Sequence, residues 1–168
     1  MIIYKDIFTN VELCSDTYSC DEEMEVLYCF QGSQVRKSDS GEYNIGASVD
    51  EEGEDREERG SLLVADIVDL YRLRSVSMDK RAYMEHIKDY MKRVLDRLNE
   101  SDPERAEVFK RKASVASKYI LDRIKDFEFL RGEEDQNHEG MVVLQFLKED
   151  GITPYFYMWK DGLYGEKR

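Results

Sequence analysis

The chain has 168 residues, of which 41% are apolar and 37% are charged, and its formal net charge is −12. This length is enough to bury one hydrophobic core, so a single domain over residues 1–168 is expected. The net negative charge argues against general nucleic-acid binding, and no stretch of the sequence approaches the roughly 18 apolar residues of a membrane span.

The amino-terminal part has the character of short strands. Residues 1–4 and 25–30 are β-prone, and polar, turn-like residues around 15–23 separate them. A signal peptide is not expected, because the start of the chain has no long apolar core after a basic region. Cys14, Cys20 and Cys29 are odd in number and lack C-x-x-C spacing, which predicts free thiols in a reducing compartment such as the cytoplasm. A zinc site of three thiolates and a histidine is a less favoured alternative.

An acidic segment follows. Residues 50–59 contain seven acidic residues and two arginines, and residues 38–60 as a whole are rich in Gly, Ser, Asp and Glu. Such a segment has little apolar surface to bury, so we predict a flexible acidic loop over 38–60. Residues 61–73 recover apolar side chains and are predicted to form a strand, or a strand with a short helical turn.

Two amphipathic helical patterns then predict an antiparallel hairpin over residues 79–130. The buried face of the first helix is predicted to carry Tyr83, Ile87, Tyr90, Met91, Val94 and Leu98. That of the second is predicted to carry Phe109, Ala113, Ala116, Ile120 and Ile124. Between them, Asp102 can cap the second helix and Pro103 suits its first position, so the link is short.

The hairpin also holds the positive charge of the chain. Residues 79–125 contain thirteen Lys and Arg against nine Asp and Glu, whereas the remaining residues contain twelve against twenty-eight. Five basic residues recur at helical spacing: Lys88, Lys92, Arg111, Lys118 and Lys125. This segregation favours a surface that binds an acidic partner. The alternative is a solvated face with intrahelical pairs such as Lys118 with Asp122.

The carboxyl-terminal part returns to strands. Residues 141–147 and 152–159 flank an Asp150-Gly151 turn and predict a β-hairpin. Pro154 lacks a backbone donor, which predicts an edge position or a bulge for its strand. No enzyme is expected, because the sequence has no P-loop, no G-x-S-x-G and no H-E-x-x-H, and His86 is interpreted as a helix-surface residue.

Three stretches carry a resemblance to a known family: MIIYKDIFTNVEL at the start, YMEHIKDYMKRVLDRLNESDPERAEVF in the hairpin, and EDGITPYFYMWKDGL near the end. Together they resemble the translationally controlled tumour protein family over nearly the whole chain. Residues 45–53 and 124–143 stand where the family has its two signatures, both in altered form. The resemblance implies an α+β fold of twisted, tent-like sheets with a projecting two-helix hairpin, the fold class of a chaperone of nucleotide-free Rab GTPases.

The resemblance also implies a function. Family members are reported to bind tubulin through the hairpin, to bind calcium weakly, to engage small GTPases and elongation-factor components, and to promote growth and survival. We therefore expect a cytoplasmic, non-enzymatic interaction protein with no membrane and no nucleic-acid partner. The alternative is a nucleotide-exchange or stabilising factor for a small Ras-family or elongation-factor GTPase.

The resemblance also guides the choice of candidate residues. The five basic hairpin residues are the tubulin candidates, and the resemblance places Glu12 at a GTPase-contacting surface. Glu133, which lies in the second signature, is the other GTPase-contact candidate. No cofactor is expected beyond weak calcium binding, because the acidic residues lack the EF-hand rhythm. The calcium candidates are Asp50, Glu51, Glu52 and Glu54.

Overall fold

Three antiparallel sheets and a helical hairpin make up the residues that the computed structural model describes, which are 1–37 and 62–168. The predicted loop at 38–60 lies outside these residues. The helices are α1 (Asp66–Leu70), α2 (Lys80–Ser101) and α3 (Pro103–Asp122). The strands are β1 (Ile2–Asp6), β2 (Glu12–Ser15), β3 (Cys20–Glu23), β4 (Leu27–Gln31), β5 (Gln34–Lys37), β6 (Leu62–Ala65), β7 (Leu73–Val76), β8 (Glu128–Gly132), β9 (Val143–Leu147), β10 (Pro154–Trp159) and β11 (Leu163–Lys167). The predicted α+β class is confirmed.

The largest sheet has six strands in the order β3-β4-β10-β9-β8-β7. A three-stranded sheet has the order β11-β1-β2, and β5 pairs with β6. The predicted hairpin around Asp150-Gly151 joins β9 to β10, with Pro154 opposite Leu147. The prediction that the strand of Pro154 lies at an edge or is bulged is wrong: β10 lies between β4 and β9, and Pro154 is tolerated as its first residue.

Strand β3 was missed because its sequence looks like a turn. Cys20–Glu23 pairs antiparallel with β4, although three of its four residues are exposed. In the turn that joins the two strands, Met24 and Glu25 both have positive φ values, 51° and 63°. Neither Met nor Glu is typical of turn positions with positive φ, so the sequence did not indicate a turn between β3 and β4.

The helical hairpin forms as its caps and periodicity predict. The side chain of Asp79 accepts a hydrogen bond from the backbone N–H of Ala82, and Asp102 accepts one from Arg105. Tyr83, Ile87, Tyr90 and Val94 of α2 are buried, as are Ala106, Phe109, Ala113, Ala116 and Ile120 of α3. The second helix ends at Asp122, so the last residues of the predicted range 79–130 form a short 3₁₀ turn and the start of β8.

The core lies between the hairpin and the sheets. Tyr83 stacks on Phe129 of β8 with ring centroids 5.3 Å apart, and Tyr90 meets Phe8 edge to face at 5.5 Å. Trp159 at the end of β10 is 1% exposed. None of the helices within residues 1–37 and 62–168 is long and apolar enough to cross a membrane.

Candidate interaction surface

The basic residues of the hairpin divide into two sets. One set ties the helices to the sheets. Arg105 donates hydrogen bonds to both carboxylate oxygens of Asp161, at 2.9 and 2.7 Å, and Lys112 lies 2.9 Å from a carboxylate oxygen of Glu25. Two more arginines bond to backbone carbonyls, Arg93 to that of Glu139 and Arg97 to that of Ile7. These cations therefore make contacts that hold the hairpin on the rest of the chain.

The other set faces solvent. All five of the basic residues predicted to bind a partner are exposed: Lys88, Lys92, Arg111, Lys118 and Lys125. In the part of the chain that the structure describes, none of them forms an ion pair. The suggested pair between Lys118 and Asp122 is not formed there, although both residues are described. These five exposed cations thus form no direct ion pair within the described residues.

The five residues do not form one continuous row. Lys88 and Lys92 border a groove between α2 and α3, and they share it with Lys110, which the sequence analysis did not single out. Arg111 and Lys118 do not line that groove; they lie on the side of α3 away from its buried residues. Placing Lys125 on the second helix is wrong, because the helix has ended and Lys125 sits in the 3₁₀ turn Ile124–Asp126.

The proposed GTPase-contacting residues lie on the sheet region: Glu12 is the first residue of β2, and Glu133 follows β8. Glu12 borders a polar cavity of about 260 Å³ together with Arg72 and Glu134. Its carboxylate is 2.5 Å from the guanidinium of Arg168. Glu133 does not line this cavity, and its carboxylate is 2.7 Å from Arg74. Both candidate carboxylates therefore already have an arginine partner.

A buried polar cluster beneath α2 was not predicted. The guanidinium of Arg131 donates to Asp135 at 3.2 Å and to the carbonyl of Gly140 at 2.9 Å. On α2, the His86 ring packs between Tyr83 and Tyr90, with Nδ1 3.5 Å from Arg131. Interpreting His86 as a surface residue is wrong.

The charge state of His86 follows from this setting. Burial, and then the positive charges of Arg131 and Arg93, lower the pKa of His86 to about 4. Its Nε2 atom is buried and has no hydrogen-bond partner within the described part of the chain. The burial of His86 could have been predicted from the sequence, because His86 is three residues after Tyr83 and four before Tyr90, and both tyrosines are on the buried face.

The three cysteines are free thiols. Burial raises the pKa of Cys29 to about 12, and that of Cys14 is raised further, also by burial. Cys20 is exposed on edge strand β3, where partial burial of the thiol and the charge of Asp21 raise its pKa to about 11. Among residues 1–37 and 62–168, no group of three His, Cys, Asp or Glu side chains could hold a metal ion. The calcium candidates Asp50, Glu51, Glu52 and Glu54 lie outside those residues and stay a prediction.

Comparison with known proteins covers nearly the whole chain. A family model described as translationally controlled tumour protein matches residues 1–164. The translationally controlled tumour protein homologue of Schizosaccharomyces pombe is 41% identical over 168 residues, covering 99% of both chains. The homologue of Danio rerio is 40% identical over 175 residues, again covering 99% of both.

Two solved structures are similar over the same length. That of the translationally controlled tumour-associated protein of Schizosaccharomyces pombe has a TM-score of 0.83 at 41% identity and covers all of both chains. The solution structure of the Caenorhabditis elegans protein has a TM-score of 0.75 at 28% identity, covering 100% of this chain and 99% of that one.

Proposed function

The chain belongs to the translationally controlled tumour protein family, and from that premise we propose that it is a cytoplasmic interaction protein that binds tubulin and microtubules through the outer side of its helical hairpin. Membership of the family supports a growth-related, non-enzymatic role in general terms. The charges of the hairpin support the choice of partner and of surface.

One observation carries the proposal. The hairpin uses Arg93, Arg97, Arg105 and Lys112 to hold itself on the sheets, yet it leaves Lys88, Lys92, Arg111 and Lys118 exposed and without an ion pair in the described residues. A chain with a net charge of −12 has acidic residues to spare for these cations. Unpaired cations on one side of an acidic protein attract a polyanionic partner, and the acidic tails of tubulin have that chemistry.

Co-sedimentation with microtubules tests the proposal. The test variant carries Arg111→Glu and Lys118→Glu, which lie on α3 away from the core and away from the groove. Each exposed contact contributes about 0.2–1 kcal/mol, so two reversals, which add repulsion, should weaken binding about tenfold or more. Added salt should weaken the wild type too, because the attraction is screened over about 8 Å at physiological ionic strength.

The matched control carries Lys148→Glu and Lys167→Glu, which reverse two exposed lysines outside the hairpin. Control and test variant have the same net charge, so a general loss of positive charge would weaken both equally. The proposal requires that the control sediments like the wild type. Equal sedimentation of the two variants would show that the outer side of the hairpin is only a solvated surface.

A nucleotide-exchange or stabilising role for a small GTPase is the second candidate. It is favoured by the position of Glu12 at the edge of a polar cavity that also holds Arg72 and Glu134, a site where charged groups of a partner could exchange with Arg168. Release of a fluorescent GDP analogue from a purified Ras-family GTPase would test it. Glu12→Gln should abolish any acceleration, and Glu128→Gln, at an exposed position on β8, should not. Equal acceleration by Glu12→Gln and wild type would rule the role of Glu12 out.

A further inference from the structure

We propose that the groove between α2 and α3 binds an acidic amphipathic helix of a partner protein, which inserts two apolar side chains between the hairpin helices while its carboxylates meet the surrounding lysines. This deepens the proposed function, and it rests on that function in placing the partner on the hairpin. It differs in requiring apolar anchors, which a purely acidic tail lacks.

The floor of the groove is apolar and already packed. Met91 and Leu95 of α2 are partly buried, and they meet Phe109 and Ala113 of α3, which are 1% and 4% exposed. The open groove above these side chains has a volume of about 270 Å³. Because Phe109 and Ala113 belong to the core, the floor is preformed, and a ligand side chain can lose its contact with water there without ordering the protein first.

The rim of the groove is positively charged. Lys88 and Lys92 stand on the α2 side and Lys110 on the α3 side, all three exposed and none in an ion pair within the described residues. The remaining polar lining is neutral, from Ser114 and Ser117. Among residues 1–37 and 62–168, no acidic side chain lines the groove. An apolar floor inside a cationic rim is complementary to an apolar ridge flanked by carboxylates.

The length of the groove selects a helical ligand with few anchors. From Lys88 to Leu95 the lining of α2 advances seven residues, or about 10 Å along the helix axis. Two positions four residues apart on a bound helix are separated by about 6 Å, so an anchor pair at i and i+4 fits within that length. A third anchor one more turn along would reach the end of the groove.

Two other occupants fit less well. A membrane surface needs apolar side chains that project, whereas the groove floor is recessed; Met84 and Val115, the large apolar residues most exposed on the hairpin, lie outside it. A second copy of this chain has few acidic amphipathic helices to offer, since the apolar faces of α2 and α3 are already buried against the sheets. Its α1 is acidic but only five residues long.

The test uses a capped synthetic peptide of about 15 residues, a length at which a helix is marginally stable. It contains Leu and Phe four residues apart among Glu and Ala, and the control peptide has Ala at both anchor positions and the same charge. Fluorescence anisotropy with the full chain should show at least about tenfold tighter binding of the anchored peptide. Amide shift changes should concentrate at Met91, Leu95 and Ala113.

Two variants at neighbouring positions complete the design. Ser114→Trp puts a large side chain into the groove, and Val115→Trp puts the same side chain on the next residue, which is 60% exposed and outside the groove. Ser114→Trp should reduce the affinity for the anchored peptide to that for the control peptide, and Val115→Trp should leave it unchanged. Both variants keep every charge on the hairpin.

Several outcomes would overturn the inference. These are equal binding of the two peptides, unchanged binding by Ser114→Trp, a self-associating chain that Ser114→Trp makes monomeric, and binding of anionic phospholipid vesicles that Ser114→Trp alone abolishes. The proposed function fails separately: a chain that binds the anchored peptide but does not co-sediment with microtubules refutes the tubulin proposal and leaves the groove assigned. Conversely, a chain that binds both peptides equally but still co-sediments with microtubules refutes the groove assignment and leaves the tubulin proposal standing.

Discussion

Arg105, in the first turn of α3, is joined to Asp161 by two hydrogen bonds of 2.9 and 2.7 Å. The same guanidinium donates to the carbonyl of Glu25 at 2.7 Å, in the turn between β3 and β4. Asp161 is almost fully buried, its side chain being 8% exposed, and it belongs to the 3₁₀ turn that follows β10. One side chain of the hairpin thus holds two turns of the sheet region against the helix.

Replacing Arg105 by Met should therefore destabilise the fold. The substitution keeps the apolar stem but leaves the carboxylate of Asp161 without its partner in a site with little access to water. We expect the free energy of unfolding, measured by urea denaturation, to fall by about 2–4 kcal/mol. Arg111→Met, on the same helix but exposed and without an ion pair to any residue that the structure describes, should change it by no more than about 0.5 kcal/mol. Equal effects of the two substitutions would contradict the anchoring role.

The sequence predicted the hairpin well because helices leave a local signal. The spacing of Tyr83, Ile87 and Tyr90 defines a buried face, and Asp102-Pro103 marks the start of the second helix. The strands were harder to predict from the sequence. Strand β3, for example, is exposed, and it is defined by its pairing with β4 rather than by its own composition. Pairing between strands depends on distant parts of the chain, and a single sequence does not display it.

The candidate surface was predicted only in part, for a similar reason. Lys110, Arg111 and Lys112 are consecutive and chemically alike, yet Lys110 borders the groove, Arg111 faces solvent and Lys112 pairs with Glu25. Successive residues on a helix point about 100° apart, so the three roles follow once the docking of α3 is known. The sequence establishes the charge, and the packing of the helix on the sheets decides which cations remain free.

Gly162 and Tyr90 offer a test of how closely the hairpin packs. A Cβ atom on Gly162 would collide with the phenol oxygen of Tyr90 and approach the methyl group of Met141 to 2.8 Å. Tyr90 is fully buried and its hydroxyl donates to Asp6, so it cannot move aside easily. Gly162→Ala should destabilise the protein by about 1–3 kcal/mol in thermal or urea unfolding.

A second substitution separates this collision from other effects of the alanine. Tyr90→Phe removes the hydroxyl that the new Cβ meets, while Asp6 keeps its hydrogen bonds from the backbone of Phe8 and Met141. The double variant should therefore be more stable than the sum of the two single effects predicts. Strict additivity would mean that the contact with Met141, rather than the hydroxyl of Tyr90, accounts for the cost of the new Cβ atom.

Cys20 should be the most accessible of the three thiols, but it should react slowly with alkylating reagents at neutral pH. Its pKa is raised to about 11, and Cys14 and Cys29 are buried with raised pKa values as well. Because only the thiolate reacts, the alkylation rate of the native chain should rise about tenfold per pH unit from pH 7 to 10 without levelling off. Peptide mapping by mass spectrometry should find the label on Cys20 first. A plateau near pH 8.5, the value of an ordinary thiol, would contradict the raised pKa.

His86 makes the stability of the protein depend on pH. Its pKa in the folded chain is about 4, below the ordinary value of 6.5, because burial and the neighbouring Arg131 disfavour the charged ring. The unfolded chain therefore binds a proton more readily between these two values. The contribution of neutral His86 is fully present above about pH 6.5 and is lost as pH falls through about 4. A shift of this size corresponds to about 3 kcal/mol at most.

The variant His86→Phe isolates this contribution, since Phe keeps a ring between Tyr83 and Tyr90 but has no proton to gain. The comparison is needed because buried Asp6 has a raised pKa, chiefly from burial, and its effect on stability has the opposite sign. Between pH 7.5 and 4.5 the wild type should lose more stability than His86→Phe, by about 2–3 kcal/mol in urea denaturation. His138→Asn is the matched control, because His138 is exposed and asparagine tolerates its positive φ of 57°. It should follow the wild type at both pH values; if instead His86→Phe follows the wild type, the proton that destabilises the acid form binds elsewhere.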